Sequence, residues 1–278
     1  MSSEPNTPLD SFSSPPQPPD GGVSPILQEQ RPAPIENPVW SGWDVTLIAA
    51  LTFVLPFLLL FVTVGIAKKF FHPAVPFVEL GQKPVYALIS ELAGYLVVLA
   101  FMIMFIEGRY RVSFFDAIRW NWPGQGAWLL FGSGIVLLVA IQVLGHFLPV
   151  PKEVPFDKFF ENARDAYFTS IFAISLGPFM EELLFRGFLY PVLARRIGMI
   201  ASIVLTGIAF GMVHGLQLAF AWGPVLMLSL VGIVLTTVRA VRRSVSASLI
   251  VHIAYNLTLT VITFVGTSGF KHLEKLTQ

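Results

Sequence analysis

Apolar residues are concentrated in seven long runs that begin near residue 45 and continue almost to the carboxyl end. Most of the runs approach the roughly 20 residues that a helix needs to cross the hydrocarbon core of a membrane. The pattern therefore predicts seven transmembrane helices, of which the fifth and sixth are the shortest. The predicted spans are Val45–Ala67, Val85–Ile106, Ala127–Leu148, Phe168–Tyr190, Met199–His214, Ala221–Val238 and Ser246–Gly266.

Two less apolar segments lie between these runs. An eighth span is an alternative interpretation of Pro151–Tyr167, but its Lys, Glu, Asp and Arg residues favour an amphipathic helix at the membrane interface. Ser113–Asn121 is interpreted as a second interfacial piece. Four apolar side chains in and just after it are expected to share one side, namely Phe114, Phe115, Ile118 and Trp122.

The first 38 residues are rich in Pro, Ser, Gln and acidic side chains and show no apolar periodicity, which predicts a disordered tail over residues 1–38. Trp40 and Trp43 follow at the position of an aromatic belt. Behind them we expect amino-terminal membrane helices and interfacial segments over residues 39–165. A helix bundle that holds the chemistry is predicted over residues 166–267, and a short polar tail over residues 268–278.

Composition narrows the class of protein. The chain is 54% apolar and 13% charged, with a mean hydropathy of +0.70, which is typical of an integral multi-pass membrane protein with an all-α fold. Its net charge of +1 gives no basic excess to neutralise nucleic acid. The absence of cysteine excludes disulfides, thiolate zinc ligands and a cysteine nucleophile.

Charged side chains inside membrane spans are costly, so each one points to a purpose. The fourth run contains Glu181, Glu182 and Arg186. Adjacent side chains on a helix diverge by about 100°, whereas residues four apart share a face. The spacing therefore predicts that Glu182 pairs with Arg186 as a structural ion pair, while Glu181 points elsewhere.

Two further polar clusters occupy the fifth and seventh runs. Phe210 precedes His214 by four residues, and His252 precedes Asn256 by four. Each pair is therefore predicted to share one helix face, with Phe210 stacked beneath His214. Small residues that would let a neighbouring helix approach closely repeat every four positions, at Gly207, Gly211 and Gly215.

These residue types suit the hydrolysis of an amide. A carboxylate enclosed by helices can act as the base that activates water, and Glu181 is the candidate. His214 would orient that water, while His252 and Asn256 would donate hydrogen bonds to the developing oxyanion. Glu91 in the second run has no evident partner at helical spacing and is interpreted as facing the bundle or a wet cavity.

The three clusters also form a family pattern. It consists of Glu-Glu-x-x-x-Arg from Glu181, Phe-x-x-x-His from Phe210 and His-x-x-x-Asn from His252. In this order the chain resembles the CPBP family, which groups CAAX prenyl endopeptidases of the Ras-converting type with bacteriocin-processing and abortive-infection proteins. The resemblance covers roughly Phe168 to Gly266 and does not extend to the amino-terminal spans.

The resemblance implies an intramembrane endopeptidase. Its substrate would be a peptide or prenylated peptide reached within membrane lipids, and the expected location is a bacterial plasma membrane. The assigned residues are Glu181 and His214 as water activators, His252 and Asn256 as oxyanion donors, and Glu182, Arg186 and Phe210 as structural support.

A metal and two other functions stay open as alternatives. Glu181, His214 and His252 could supply three zinc ligands with one open position, but the chain lacks a His-Glu-x-x-His signature and a metal-free mechanism is preferred. The same polar residues would also suit a non-catalytic scaffold or bacteriocin immunity protein. A proton-coupled transporter is a third alternative, because Glu and His chains relay protons.

Overall fold

The computed structural model describes residues 36–276, which are helical and contain no strand. The α-helices in chain order are α1 (Gly42–Phe70), α2 (Phe77–Gly81), α3 (Pro84–Tyr110), α4 (Phe114–Ala117), α5 (Ala127–Gly145), α6 (Ala163–Ile174), α7 (Leu176–Glu182), α8 (Tyr190–Ile197), α9 (Met199–Val213), α10 (Trp222–Arg242) and α11 (Val245–Gly266). A π-helix, Leu183–Leu189, joins α7 to α8. Short 3₁₀-helices occupy Gly124–Gly126, Pro155–Phe160 and Leu273–Leu276.

Within residues 36–276, six helical segments are long and apolar enough to cross a membrane. They are Gly42–Phe70, Pro84–Tyr110, Gly124–Gly145, Ala163–Ile197, Trp222–Arg242 and Val245–Gly266. The fifth predicted run forms the shorter apolar helix α9, of 15 residues. The polytopic all-α bundle predicted from the sequence is therefore confirmed, with six long segments and one short one.

The start of α1 shows how the bundle is anchored. Ser41 and Asp44 form a reciprocal capping box, and the hydroxyl of Tyr110 at the end of α3 donates to Asp44 over 2.6 Å. This capping fixes the first turn of α1 beside the last turn of α3. Large side chains such as Phe57 and Phe61 on α1 are at least half exposed, as expected for a surface that contacts lipid.

The segment before α6 forms no eighth span. It contains only the 3₁₀-helix Pro155–Phe160, and α6 then begins at Ala163 with Asn162 as its cap. The amphipathic helix predicted over residues 151–167 is therefore replaced by a short helix and the first turn of α6.

The second interfacial piece is a single helical turn, α4. Phe114 and Ile118 are fully buried, whereas Phe115 and Trp122 are 46% and 68% exposed. The prediction that all four share one side was wrong, because the adjacent Phe114 and Phe115 diverge by about 100° and α4 ends at Ala117, before Trp122.

The predicted tail lies outside the described residues except at its end. Glu36, inside the predicted tail, is 2% exposed and accepts hydrogen bonds from two arginines. Trp43 is 83% exposed, as an aromatic belt requires. Trp40, however, is 1% exposed and donates from Nε1 to the carbonyl of Phe188, so its assignment to the belt was wrong.

The helices before and after residue 165 share one hydrophobic core. Gly134 lets α5 lie against α11, because a Cβ there would stand 3.0 Å from the backbone nitrogen of Tyr255. At the carboxyl end, the ring of Phe270 is buried against Tyr167, with ring centroids 5.1 Å apart. The segment after α11 thus packs onto the bundle although it was predicted as a polar tail.

Candidate active site

The helix that carries Glu181 is broken just before it. α6 ends at Ile174, Ser175 has a non-helical backbone, and α7 starts at Leu176. Pro178 lacks the N–H that a continuous helix would direct at residue 174, which accounts for a break at this point. The break leaves carbonyl groups without helical partners, and in a membrane such groups need other donors.

Asn256 supplies one of these donors. Its side-chain nitrogen donates to the carbonyl oxygen of Ala173 over 2.7 Å. The predicted oxyanion donor therefore ties α11 to the end of α6 through one of its two amide protons, and the second proton stays available. A role toward substrate for Asn256 stays a prediction.

The π-helix that follows α7 places Arg186 in the core. Arg186 and Glu182 are both fully buried, and they pair over 3.0 Å, as the four-residue spacing predicted. Arg186 also donates to the carbonyl of Gly232 over 2.9 Å and to the hydroxyl of Thr236 over 3.3 Å. The guanidinium thus binds the α7 side of the bundle to α10.

Glu182 also fixes the orientation of His252. Nδ1 of His252 lies 3.0 Å from the Oε1 atom that Arg186 contacts. Because a carboxylate only accepts, Nδ1 carries the proton, and a neutral His252 has its lone pair on Nε2. That Nε2 lies 3.6 Å from Oε2 of Glu181.

His214 is oriented in the same way by its own helix. Its Nδ1 lies 2.8 Å from the carbonyl oxygen of Phe210, which also only accepts, so Nδ1 is again the donor. Nε2 of His214 lies 3.7 Å from Oε1 of Glu181. The ring of Phe210 lies 4.9 Å from the His214 ring and 5.7 Å from the His252 ring, and it therefore supports both imidazoles.

Close packing of α9 on α10 sets the position of His214. A Cβ on Gly207 would stand 2.6 Å from the backbone nitrogen of Ile233, and one on Gly211 would stand 2.7 Å from that of Ser229. The predicted close approach is confirmed at these two positions. Gly215 lies beyond α9 and faces Phe220 in the following turn instead.

Three hydrogen-bond acceptors therefore converge at one point. The carboxylate of Glu181 lies between the Nε2 atoms of His214 and His252, at distances longer than a direct hydrogen bond. Its side chain is 24% exposed. The gap suits a water molecule, which has two protons to donate to such acceptors.

Glu91 was interpreted as facing the bundle or a wet cavity, but the residues with which it interacts were not predicted. It lies on α3 and interacts electrostatically with Glu181 and His214. It also interacts with the hydroxyl of Tyr95, four residues further along the same helix. The four-residue spacing of Glu91 and Tyr95 was the available signal, but a tyrosine is less conspicuous as a partner than a cation.

A metal was the alternative reading of the same residues. Within residues 36–276, no group of three or more His, Asp or Glu side chains has the arrangement of a metal site. Zinc bound by Glu181, His214 and His252 stays an untested alternative.

Residues 163–258 match the sequence model of one protein family, described as Type II CAAX prenyl endopeptidase Rce1-like. The matched segment contains all three motifs and begins with α6. No curated protein and no solved structure is significantly similar to the chain. The resemblance stated from the motifs is therefore confirmed at the level of the family.

Proposed function

We propose that water activated by Glu181 hydrolyses a peptide bond within the membrane. Through residues 163–258 the chain belongs to the Rce1-like family of type II CAAX prenyl endopeptidases. The observation that carries the proposal is the position of this carboxylate between two Nε2 atoms. A water held there can donate its two protons to Glu181 and His214, which increases the nucleophilic character of its oxygen.

The proposed reaction uses only this water and the peptide. The water oxygen attacks the carbonyl carbon and forms a C–O bond, while one water proton passes to Glu181. The carbonyl oxygen becomes an oxyanion in the tetrahedral intermediate. The C–N bond then breaks as the proton on Glu181 passes to the leaving nitrogen, which gives a carboxylic acid and an amine.

His252 and Asn256 are the proposed donors to the oxyanion. Asn256 has one amide proton that is not directed at Ala173. His252 accepts at Nε2 while it is neutral and donates from Nε2 only in its protonated form, because Nδ1 is committed to Glu182. A His252 that enters the cycle protonated would therefore donate to the oxyanion, while Glu181 and His214 accept from the water.

The proposed substrate is a peptide that carries an isoprenoid group, as the family description implies. The lipid-like group would remain in the membrane while the peptide enters the site. The bacterial plasma membrane is the proposed location. An unmodified peptide is the alternative substrate, and one experiment separates the two.

That experiment incubates the full chain, purified in detergent, with a farnesylated peptide and its unmodified counterpart. We expect cleavage of the farnesylated peptide and a rate lower by about 10²–10⁴-fold in Glu181→Gln, the usual contribution of a general base. Glu107→Gln is the matched control, since Glu107 accepts from the backbone of Phe114 at the far end of α3. Full activity of Glu181→Gln would refute the role of the carboxylate.

A parallel incubation with a metal chelator tests whether cleavage depends on a metal ion. An unchanged rate after prolonged chelation supports the metal-free mechanism, whereas loss of activity that zinc restores supports the zinc alternative. A scaffold or a transporter would cleave neither peptide. Mass spectrometry of the products locates the cleaved bond in every arm.

A further inference from the structure

Glu91 is placed to take part in the active site from outside the family segment. It lies on α3, whereas the matched residues begin at residue 163. Its carboxylate is near enough to Glu181 and His214 to interact with both electrostatically. It is half-buried, so its carboxylate is neither fully solvated nor sealed in the core.

The surroundings of Glu91 hold it in this position. Tyr95, one turn further along α3, is 8% exposed, interacts with Glu91, and stacks on Phe172 with ring centroids 5.8 Å apart. Phe172 belongs to the last turn of α6, just ahead of the break that leads to Glu181. Tyr95 thus packs beside the segment that leads to Glu181, and Glu91 lies one turn before Tyr95 on α3.

The charges of the site do not balance. The site contains three carboxylates, Glu91, Glu181 and Glu182, and one permanent cation, Arg186, whose donors are committed to Glu182, Gly232 and Thr236. The two imidazoles add acceptors rather than cations while they are neutral. The net charge of these groups is −2 when all three carboxylates are ionised. No hydrogen bond or ion pair to a cation is found for Glu91 within residues 36–276.

A site of this charge attracts a positively charged group. Charges enclosed by apolar helices interact more strongly than charges in water, because the surrounding dielectric response is weaker. No lysine or arginine of the described residues is paired with Glu91, and the site must also admit the substrate in each turnover. A basic side chain on the substrate meets both conditions.

We propose that Glu91 is a specificity-determining residue that binds a lysine or arginine side chain of the peptide substrate next to the scissile bond. The proposal rests on the peptidase function proposed above and names the substrate class more closely. Because Glu91 lies outside the family segment, the preference would belong to this chain rather than to the shared motifs.

The test uses peptides that differ only in charge. Lysine and its neutral isostere norleucine are placed in turn at each position that flanks the cleaved bond, and kcat/KM is measured with the full chain in detergent. We expect the lysine peptide to be preferred by at least about tenfold at one position, as for a charge pair shielded from water. Glu91→Gln should lower this preference to near unity while the norleucine peptide is still cleaved.

Three further variants test whether the change in preference comes from the charge at position 91 rather than from damage to the fold. Glu107→Gln, on the same helix but away from the site, should keep the preference for lysine. Glu91→Asp keeps the charge and should retain part of the preference. Glu91→Lys should reverse it in favour of a glutamate peptide.

The outcomes separate the two proposals. Equal cleavage of the lysine and norleucine peptides by the unaltered chain, or a preference that survives Glu91→Gln, overturns the role of Glu91 and leaves the peptidase function standing. Absence of any cleavage, or cleavage that Glu181→Gln does not reduce, overturns the peptidase function itself.

Discussion

His252 donates from Nδ1 to Glu182 over 3.0 Å, and this single contact decides which nitrogen of the imidazole faces Glu181. The second carboxylate of the Glu-Glu pair therefore controls the chemistry of the first without facing it. Glu182 does so while it also neutralises Arg186, so it serves both the stability of the bundle and the tautomer of His252.

Replacing Glu182 should impair both the stability of the bundle and the cleavage reaction. In Glu182→Gln the amide oxygen can still accept from His252, but Arg186 keeps a full charge in a fully buried position. Breaking a buried ion pair in this way costs about 3–5 kcal/mol. We expect a lower melting temperature in detergent and loss of cleavage, measured on the same preparation.

The control for this variant is Glu79→Gln, which alters an exposed carboxylate on α2. Surface substitutions of this kind usually change stability by no more than about 0.5 kcal/mol. A Glu182→Gln protein as stable as the control would contradict the buried pairing of Glu182 with Arg186.

Much of this architecture follows from local sequence patterns. Long apolar runs predicted the spans, and four-residue spacing predicted the pairing of Glu182 with Arg186 and the stacking of Phe210 under His214. These features depend on residues within one helix, where periodicity determines the geometry. The four-residue spacing of glycines also indicated that a neighbouring helix approaches closely at Gly211. The spacing does not identify that helix as α10.

The remaining features depend on contacts between distant segments. The partner of Asn256 is a carbonyl exposed only because α6 ends before Ser175. The π-helix over residues 183–189 has no sequence signature of its own. Glu91 reaches the site because α3 packs near α7, and a single sequence does not tell which helices are neighbours.

The packing of α9 on α10 leads to a second prediction. Gly211→Ala would place a Cβ 2.7 Å from the backbone nitrogen of Ser229, which cannot move away alone. Overpacking of this kind costs about 1–3 kcal/mol, and the shift of α9 would carry His214 away from Glu181. We therefore expect reduced stability together with reduced kcat.

Gly132→Ala is the matched control, because Gly132 lies within α5 and a Cβ there meets nothing within 4 Å. This variant should be as stable as the unaltered chain or slightly more stable, since alanine favours helix more than glycine does. Equal effects of the two substitutions would count against a close contact between α9 and α10.

Asn256 gives a third prediction, because one of its two amide protons is bound to Ala173 and the other is the proposed donor to the oxyanion. Asn256→Asp removes both protons and places a carboxylate beside the carbonyl of Ala173. A lost hydrogen bond to a buried acceptor costs about 1–3 kcal/mol. If the second proton also serves the oxyanion, kcat should fall by about 10²–10³-fold while KM changes little.

The decisive measurement for Asn256 is whether kcat falls while KM stays unchanged. A purely structural role would lower the melting temperature and the amount of active protein, but would leave the kcat of the folded fraction near that of the unaltered chain. Titration of active sites with a tight-binding inhibitor, once one is found, would provide the folded fraction.

The fourth prediction concerns the far end of the bundle, where Glu36 joins α10 to the turn after α4. Its Oε1 accepts from Arg119 and from Arg239, each over 3.0 Å, and the side chains of Glu36 and Arg239 are 3% and 1% exposed. Nearby, Arg195 donates to the carbonyls of Pro38 and Trp40. The segment ahead of α1 is thus bound to the carboxyl-terminal half of the chain.

Glu36→Gln should therefore destabilise the protein by about 3–5 kcal/mol, because it leaves the buried charge of Arg239 without a carboxylate. Adding Arg239→Gln to this variant removes the unpaired charge and should recover part of the loss, as measured by thermal unfolding in detergent. Asp116→Asn, at an exposed carboxylate on α4, should have little effect. A double variant less stable than Glu36→Gln alone would show that Arg239 contributes through packing on Tyr190, 5.5 Å from its ring centroid, more than through its charge.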